Sequence, residues 1–549
     1  MPGGKTAQVP RGTRIGDLLH SEDPQMAPIA AKWNNKIVPL DRPLDADGTV
    51  APVGLDSRDG GLIYRRSLTF MLVRAVKELF PDLKVHINHS LNRGYYGEVF
   101  DDRLRKGEAV TLTEEDLARI RARMQGYVDA NEPFTRVVLP REEAIRLFRE
   151  KGMDDKADLL RWRSDDRVSV YRFGDHINHF YGQLAPSAGV LRTFDVKACP
   201  PGFVLLFPPH GRPGSLPAYE HNQKLFAVFR EYEAWARILG LRTVSQLNAL
   251  VESGRIREHV LITEALHEKK LATIADMFTQ HPARPRIILL SGPSSSGKTT
   301  TVKRLALQLR VNGLRPVVIG MDNFFVPREQ TPRDENGDYD FESIDAIDRD
   351  ALRKVVMGLL HGEEVIMPRF DFEAGRATSG SPLRLEPEQP IIIEGIHGLN
   401  VRLLDSIPDG MKFKIYVSPL THLNIDDHNR IASSDVRLLR RMVRDAKYRG
   451  YTAIDTIRRW PSVRRGEEKN IFPYQERADV IFNSSLPYEL LALRSAAVPL
   501  LSKITRDLPE YSEAARLLKF LQYFRDVKID DVPRHSLLRE FLGGSAFKY

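Results

Sequence analysis

Apolar positions along the chain fall into three regimes. Up to about residue 55, short runs such as Lys36-Ile37-Val38-Pro39-Leu40 alternate with turns at Asp41-Arg42-Pro43 and Asp45-Ala46-Asp47-Gly48, which predicts a small β-rich module. Beyond it, Leu68, Met71, Leu72, Ala75, Val76 and Leu79 recur at helical spacing between Ser67 and Phe80, and Pro81 ends the pattern. Val85-His86-Ile87-Asn88-His89 and Tyr95-Tyr96-Gly97-Glu98-Val99-Phe100 read as strands around a turn at Asn92-Arg93-Gly94. Thr113-Glu114-Glu115-Asp116 opens a helix through about Ala130, and Pro140-Arg141-Glu142-Glu143 opens another that ends near Gly152. A Pro- and Gly-rich stretch over residues 197–218 marks a boundary or a long loop. Residues 221–278 are helical throughout and form a connector whose aromatic stripe serves packing.

The third regime alternates strands with helices. Ile287-Ile288-Leu289-Leu290 leads into Gly292, Pro293, Ser294, Ser295, Ser296, Gly297, Lys298, Thr299 and Thr300, and Val302 to Leu309 continue as a helix. In the pattern G-x-x-x-x-G-K-[ST], glycines let the backbone curl so that its N–H groups face an anion at a helix N-terminus. Lys298 would reach the terminal phosphates of ATP and Thr299 would hold Mg²⁺. Strand 316–320 then precedes Asp322, helix 351–361 follows, and strand 390–393 ends in Glu394-Gly395. Acids at strand C-termini describe a doubly wound α/β domain with a parallel sheet and its ligand at that edge. Phosphoryl transfer needs a base, a metal-side acid and cations. Asp322 is the expected base and also stands on the metal side, and Glu394 is the metal-side acid. Arg441 and Arg444, i and i+3 on one helix face with Arg440 beside them, either form a cationic lid or a solvated basic face. Ser512-Glu513-Ala514-Ala515 reads as a capping box, and a last helix runs from Leu537 to Phe541; both predict docking on the body, with no chemistry evident.

Length adds a prior of about three domains, and the net charge of +8 suits phosphate-bearing ligands while only permitting nucleic acid. No run approaches the ~18 apolar residues of a membrane helix, and Met1-Pro2-Gly3-Gly4-Lys5 has no apolar signal core, so a cytoplasmic enzyme without a membrane partner is expected. Cys199 is the only cysteine, which excludes disulfides within the chain and thiolate zinc sites; it reads as an inert small residue. His-Ile-Asn-His occurs at His86 to His89 and again at His176 to His179. Residues i and i+3 on a strand point to opposite faces, so structural histidines are expected over a metal site.

Residues 292–300, Met321-Asp322-Asn323-Phe324-Phe325, Ile344-Asp345-Ala346-Ile347-Asp348, Pro368-Arg369-Phe370-Asp371-Phe372, Ile393-Glu394-Gly395-Ile396 and Arg441-x-x-Arg444-Asp445 stand in the order and spacing of the uridine kinase and phosphoribulokinase family, which residues 285–505 resemble. The resemblance implies ATP- and Mg²⁺-dependent phosphorylation of a ribose 5′-hydroxyl. It implies Asp322 as base, Asp345 on the sugar hydroxyls, Arg441 and Arg444 in the lid, and Phe325, Phe370 and Arg449 against the acceptor. Where uridine kinases carry two tyrosines, a histidine and a glutamine to read the base, this chain has Phe325, Phe370, Gly375 and Arg459. Stacking survives and hydrogen bonding does not, which puts uridine itself in question.

Gly12-Thr13 and residues 30–38 resemble the TGS module, a β-grasp domain of threonyl-tRNA synthetases. Leu79-Phe80-Pro81-Asp82, Asn92-Arg93-Gly94-Tyr95-Tyr96 and Tyr171-Arg172-Phe173-Gly174-Asp175 resemble the domain that follows it there. That domain's four editing positions align with Arg66, Phe70, Phe180 and Leu184, none suited to the chemistry. The expected division is a β-grasp module at 1–60, an α+β synthetase-like domain at 61–200, a helical connector at 201–280, the P-loop kinase at 281–505 and a helical tail at 506–549. Three readings stay open: a nucleoside kinase; a kinase acting on another nucleoside, a sugar phosphate or an RNA end; and an RNA-binding regulatory protein whose P-loop domain is a switch. RNA or small-ligand binding by the N-terminal half and homo-oligomerisation stay open with them.

Overall fold

Ile287–Ser291 is buried along its whole length, as a strand covered on both faces must be. In the computed structural model it is the middle strand of a parallel five-stranded sheet, in the spatial order Val317–Gly320, Ile391–Glu394, Ile287–Ser291, Lys412–Ser418, Val480–Asn483. The described residues are 6–19, 27–91, 93–101, 103–104, 108–335, 337–371 and 373–549. Met1 to Lys5, Asn92 of the expected turn and Phe372 of the kinase-like motif lie outside them.

Strand alternation splits the core in two. Ile288 and Leu290 face a large cluster shared with helices Ile256–Thr279, Lys298–Val311, Ser433–Tyr448 and Glu489–Leu501. Ile287 and Leu289 face a second cluster with Ile319, Met321, Leu352 and Val356, the last two on helix Arg349–Leu360. Because every strand runs the same way, the phosphate loop, the Asp322 turn and Glu394 all emerge at one edge. Beside that edge lies a largely exposed hairpin, Val365–Asp371 with Arg376–Leu383.

Upstream, Ala30–Trp33 pairs antiparallel with Lys36–Val38 and Val50–Val53, the β-rich module of the N-terminus. The following helix starts at Arg58 rather than near Ser67, because the Ser57 hydroxyl caps it by accepting from the Gly60 N–H. Antiparallel strands Leu83–Leu91, Gly94–Asp101, Gly202–Leu206 and Asp195–Cys199 form one sheet, and Thr135–Pro140, Arg167–Phe173 and His176–Asn178 another. The helical stretch expected over 221–278 divides into Gln223–Ile238, Val244–Glu252 and Ile256–Thr279; Thr243 and Gln246 form a capping box that restarts the chain. Nor does Ser512 cap the late helix. Tyr511–Leu521 begins one residue earlier without a side-chain cap, and Glu513 pairs instead with Arg516 and Arg58.

The N-terminal half and the kinase sheet are joined by buried polar contacts. Asp426, on the loop after strand Lys412–Ser418, pairs with Lys156 at 2.9 Å, both fully buried. The Ile87 N–H donates to the Asp427 carbonyl at 2.8 Å, and Asn429 donates to the His179 carbonyl at 2.9 Å. No helix among the described residues is long and apolar enough to cross a membrane.

Candidate functional site

The phosphate loop curls because two residues take left-handed backbone, Gly297 at φ +85° and Ser295 at φ +58°. A glycine pays nothing for this, whereas Ser295 holds it under strain inside a buried turn. Gly292 and Pro293 carry the chain off the strand. The Lys298 ammonium folds back on the loop and donates to the Pro293 carbonyl at 3.2 Å. Ser294 donates its N–H to Glu467 at 3.0 Å, and Arg437 clamps the same pair, reaching Glu467 at 2.7 Å and the Ser294 carbonyl at 3.1 Å. Ser484 donates to the Ser296 carbonyl. At the helix start, Thr300 donates both its N–H and its hydroxyl to Glu540, at 3.2 and 2.6 Å.

Behind Lys298 stand the two acids. Thr299 Oγ1 donates to Glu394 at 3.3 Å, so the expected metal-side pair is in contact. Burial first, then the charges of Asp322 and Glu540, push the Glu394 carboxyl up to about 7 against the pull of Lys298. Burial lowers Lys298, with Glu394 and Asp322 acting against it. A hydroxyl and a carboxylate side by side at the loop, with their own countercharge incomplete, are a donor set that fits Mg²⁺. Asp322 lies exposed in the turn Met321–Phe324, near enough for its charge to act on both Lys298 and Glu394.

Phe325 and Phe370, expected against the acceptor, are brought together at a centroid distance of 5.6 Å, with Phe341 at 6.2 Å from Phe325. The Phe370 N–H donates to Asn323 Oδ1 at 3.4 Å, tying the hairpin to the Asp322 turn. Gly375 sits in the hairpin turn at φ +67°, and its carbonyl accepts from the Arg328 N–H at 2.8 Å. Asp345 is exposed and paired with Arg402 at 2.6 Å and Arg349 at 3.5 Å. Arg459 is exposed, its guanidinium 4.7 Å from the Tyr451 ring centre.

The arginine cluster separates by burial. Arg441 donates to Ser294 Oγ at 2.9 Å, and Arg444 pairs with Asp445 at 2.7 Å; both remain partly exposed. Arg449 is exposed at the helix end, 3.7 Å from Asp445. Arg440 is not a lid cation: it is fully buried, pairs with Glu489 at 2.6 Å and donates to the Ser484 carbonyl at 2.9 Å. A helix turns 100° per residue, so adjacent arginines face different surroundings. Glu467, Arg437 and Glu540 were not expected at the loop. They lie 143 to 240 residues from it in the chain, and an isolated charged residue that far away carries no sequence signal of its own.

In the N-terminal half, three of the four positions aligned with the synthetase editing site are buried apolar residues, and the fourth is Arg66. Phe70 and Phe180 are buried with ring centres 5.8 Å apart, Leu184 is buried, and Arg66 donates to the Gln183 carbonyl at 3.0 Å. His86 and His89 do not diverge as strand geometry predicts. A register shift between Ile87 and His89 turns both toward one cavity of about 30 Å³, which also meets Glu98, Glu233, Arg242 and His422. That volume suits roughly one water, and no group of three His, Cys, Asp or Glu among the described residues could hold a metal. His179 bonds Tyr523 at 2.7 Å and the Ser169 carbonyl at 2.8 Å, a structural role. Cys199 is buried, and burial pushes its thiol up, away from reactivity.

The model of the Phosphoribulokinase / Uridine kinase family matches residues 287–491. The N-terminal half matches threonine–tRNA ligases. That of Rubrobacter xylanophilus is 31% identical over 200 residues, which are 36% of this chain and 30% of the ligase. That of Acidithiobacillus ferrooxidans is 36% identical over 172 residues, 31% of this chain and 26% of the ligase. The chain thus spans less than a third of the length of these curated relatives. A solved structure of a possible uridine kinase from Bacillus stearothermophilus covers 39% of this chain and 97% of its own, at 19% identity and a TM-score of 0.28. Residues 287–491 are thus similar to the kinases of the phosphoribulokinase / uridine kinase family, behind an N-terminal region similar to part of the threonine–tRNA ligases.

Proposed function

We propose that the kinase domain transfers the γ-phosphoryl group of ATP to the 5′-hydroxyl of a nucleoside. The observation that carries this reading is the meeting, at one sheet edge, of the phosphate loop, the Thr299–Glu394 pair, exposed Asp322 and the Phe325–Phe370 aromatic pair. The acceptor oxygen attacks the γ-phosphorus, the bond to the bridging oxygen breaks, ADP leaves, and the hydroxyl proton passes to Asp322. Lys298, Arg441 and Arg444 neutralise the charge on the moving phosphoryl oxygens. Thr299 and Glu394 would hold Mg²⁺, with Asp322 on the same side, and the bound ion supplies further charge neutralisation. Asp345 would orient the ribose hydroxyls once it exchanges Arg402 for the sugar, and Arg449 would close over the acceptor.

A second acceptor class is favoured by one feature. Phe325 and Phe370 offer ring faces without hydroxyls, and Gly375 offers no side chain, so the pocket stacks a base without reading its edge. A non-pyrimidine nucleoside, a sugar phosphate or an RNA end fits that chemistry too. Incubating the purified chain with radiolabelled ATP and each acceptor class, followed by product identification, decides among them. Labelled nucleoside 5′-monophosphate supports the first reading; label on another class alone replaces it.

A further inference from the structure

Residues 533–549 close over the nucleotide end of the phosphate loop. Leu538 and Phe541 are buried in the large core cluster, and the Phe541 ring lies 5.3 Å from the Arg440 guanidinium. These residues seat Glu540 so that one carboxylate oxygen accepts both the Thr300 N–H and the Thr300 hydroxyl. Since the Thr300 hydroxyl proton is committed to Glu540, the Tyr549 hydroxyl is the donor in its own 2.8 Å bond to Thr300 Oγ1. The Leu537 side chain lies where a Cβ on Gly297 would stand, 2.5 Å away. Lys447, at the end of the helix that bears Arg441 and Arg444, donates to the Leu542 carbonyl at 2.7 Å. One short segment therefore touches the loop glycine, the first turn of the loop helix and the arginine helix together.

The chemistry at Thr300 is that of phosphate recognition. Backbone N–H groups and hydroxyls in the first turn after such a loop are the donors a nucleotide phosphate uses. A carboxylate that takes both presents the same negative oxygen at the same place. We propose that residues 533–549 are a built-in competitor for nucleotide, with Glu540 occupying the phosphate seat at Thr300 until ATP displaces its carboxylate. The proposal rests on the reading of residues 292–300 as the ATP site. Gly543 and Gly544, at φ +88° and +70°, provide the pivot beyond the buried anchors, so Tyr549 can swing away while Leu538 and Phe541 stay in place.

A carboxylate at a helix N-terminus also stabilises the helix, and the two roles predict different results. As a competitor, Glu540→Gln binds ATP more tightly than the parent, on the order of five- to thirtyfold, because a charge-assisted rival is replaced by a neutral one. As a cap alone, it melts earlier with unchanged ATP affinity, which overturns the proposal. Affinity is read by titrating the full-length chain, Glu540→Gln and Lys298→Ala with a fluorescent ATP analogue and Mg²⁺. Lys298-dependent binding of equal strength in parent and Glu540→Gln overturns this proposal and leaves the ATP site standing. Absence of Lys298-dependent binding in both removes the ATP site and the proposal with it. Should Glu540→Gln fail to fold, hydrogen exchange of the parent decides. Saturating ATP is expected to speed exchange at the Ala546 amide, which now donates to the Arg534 carbonyl at 2.8 Å; unchanged protection there overturns the proposal.

Discussion

Asp322 and Glu394 are two carboxylates at neighbouring strand ends with opposite surroundings. Glu394 is half-buried behind the loop, bonded to Thr299 and pushed up to about 7, while Asp322 stands open to solvent on its turn. In the proposed reaction the acceptor's proton goes to Asp322 and the cation to Glu394. Asp322→Asn keeps shape and loses basicity. It is expected to lower kcat by about 10²- to 10⁴-fold while ATP affinity stays close to the parent's, as steady-state kinetics and nucleotide titration would read. A parallel loss of affinity would place Asp322 on the nucleotide instead. In the proposed acceptor pocket, Phe325 and Phe370 keep ring contact at 5.6 Å and carry no polar group that would discriminate bases.

At the scale of elements, helix Ser433–Tyr448 carries two kinds of arginine. Arg440 fills a buried ion pair with Glu489, whereas Arg441 reaches the loop at Ser294. Arg440→Ala leaves Glu489 buried without its partner and is expected to cost about 3–5 kcal/mol in denaturant unfolding. Arg441→Ala is expected to leave the unfolding midpoint close to the parent's and to lower kcat about 10²-fold. Swapped outcomes would contradict the assignment. These two residues show what the chain reveals by itself. The phosphate loop is legible because its strand, glycines, lysine and helix are local, and the ordered acids follow it at strand ends. The division between Arg440 and Arg441 is not, since it depends on Glu489 and Ser294 on other elements. Likewise the bulge beside His89 rotates a histidine that strict alternation sends to the other face.

Across the whole molecule, the loop after strand Lys412–Ser418 binds the synthetase-like domain through buried charge. Burial and the charge of Asp155 push the Asp427 carboxyl up to about 7, against Lys156 and Arg242, with the His86 ring 3.4 Å away and Asp426 and His428 beside it in the chain. Its folded value stands above the ordinary value near 3.9. The folded chain therefore keeps a proton that the unfolded chain loses between about pH 4 and 7, and stability falls as pH rises through that window. Asp427→Asn removes the penalty. Thermal melts are expected to show it about 2–4 °C above the parent at pH 8, with the gap shrinking at pH 5; a gap that is the same at both would rule out this titration. Such long-range junctions, like Glu467 and Glu540 on the loop, were invisible in the chain because acids far apart in sequence give no periodic signal. The two family resemblances were legible from local motifs, and their joining was not.

The proposed phosphoryl transfer uses the loop, the acids and the arginines as one site. The most direct measurement is transfer of label from [γ-³²P]ATP across a panel of nucleosides, sugar phosphates and short RNAs, with the parent, Lys298→Ala and Asp322→Asn compared under Mg²⁺. A labelled nucleoside 5′-monophosphate made by the parent and lost in both variants is the predicted result. No labelled product from any acceptor, or product unchanged in Lys298→Ala, would contradict the proposed transfer.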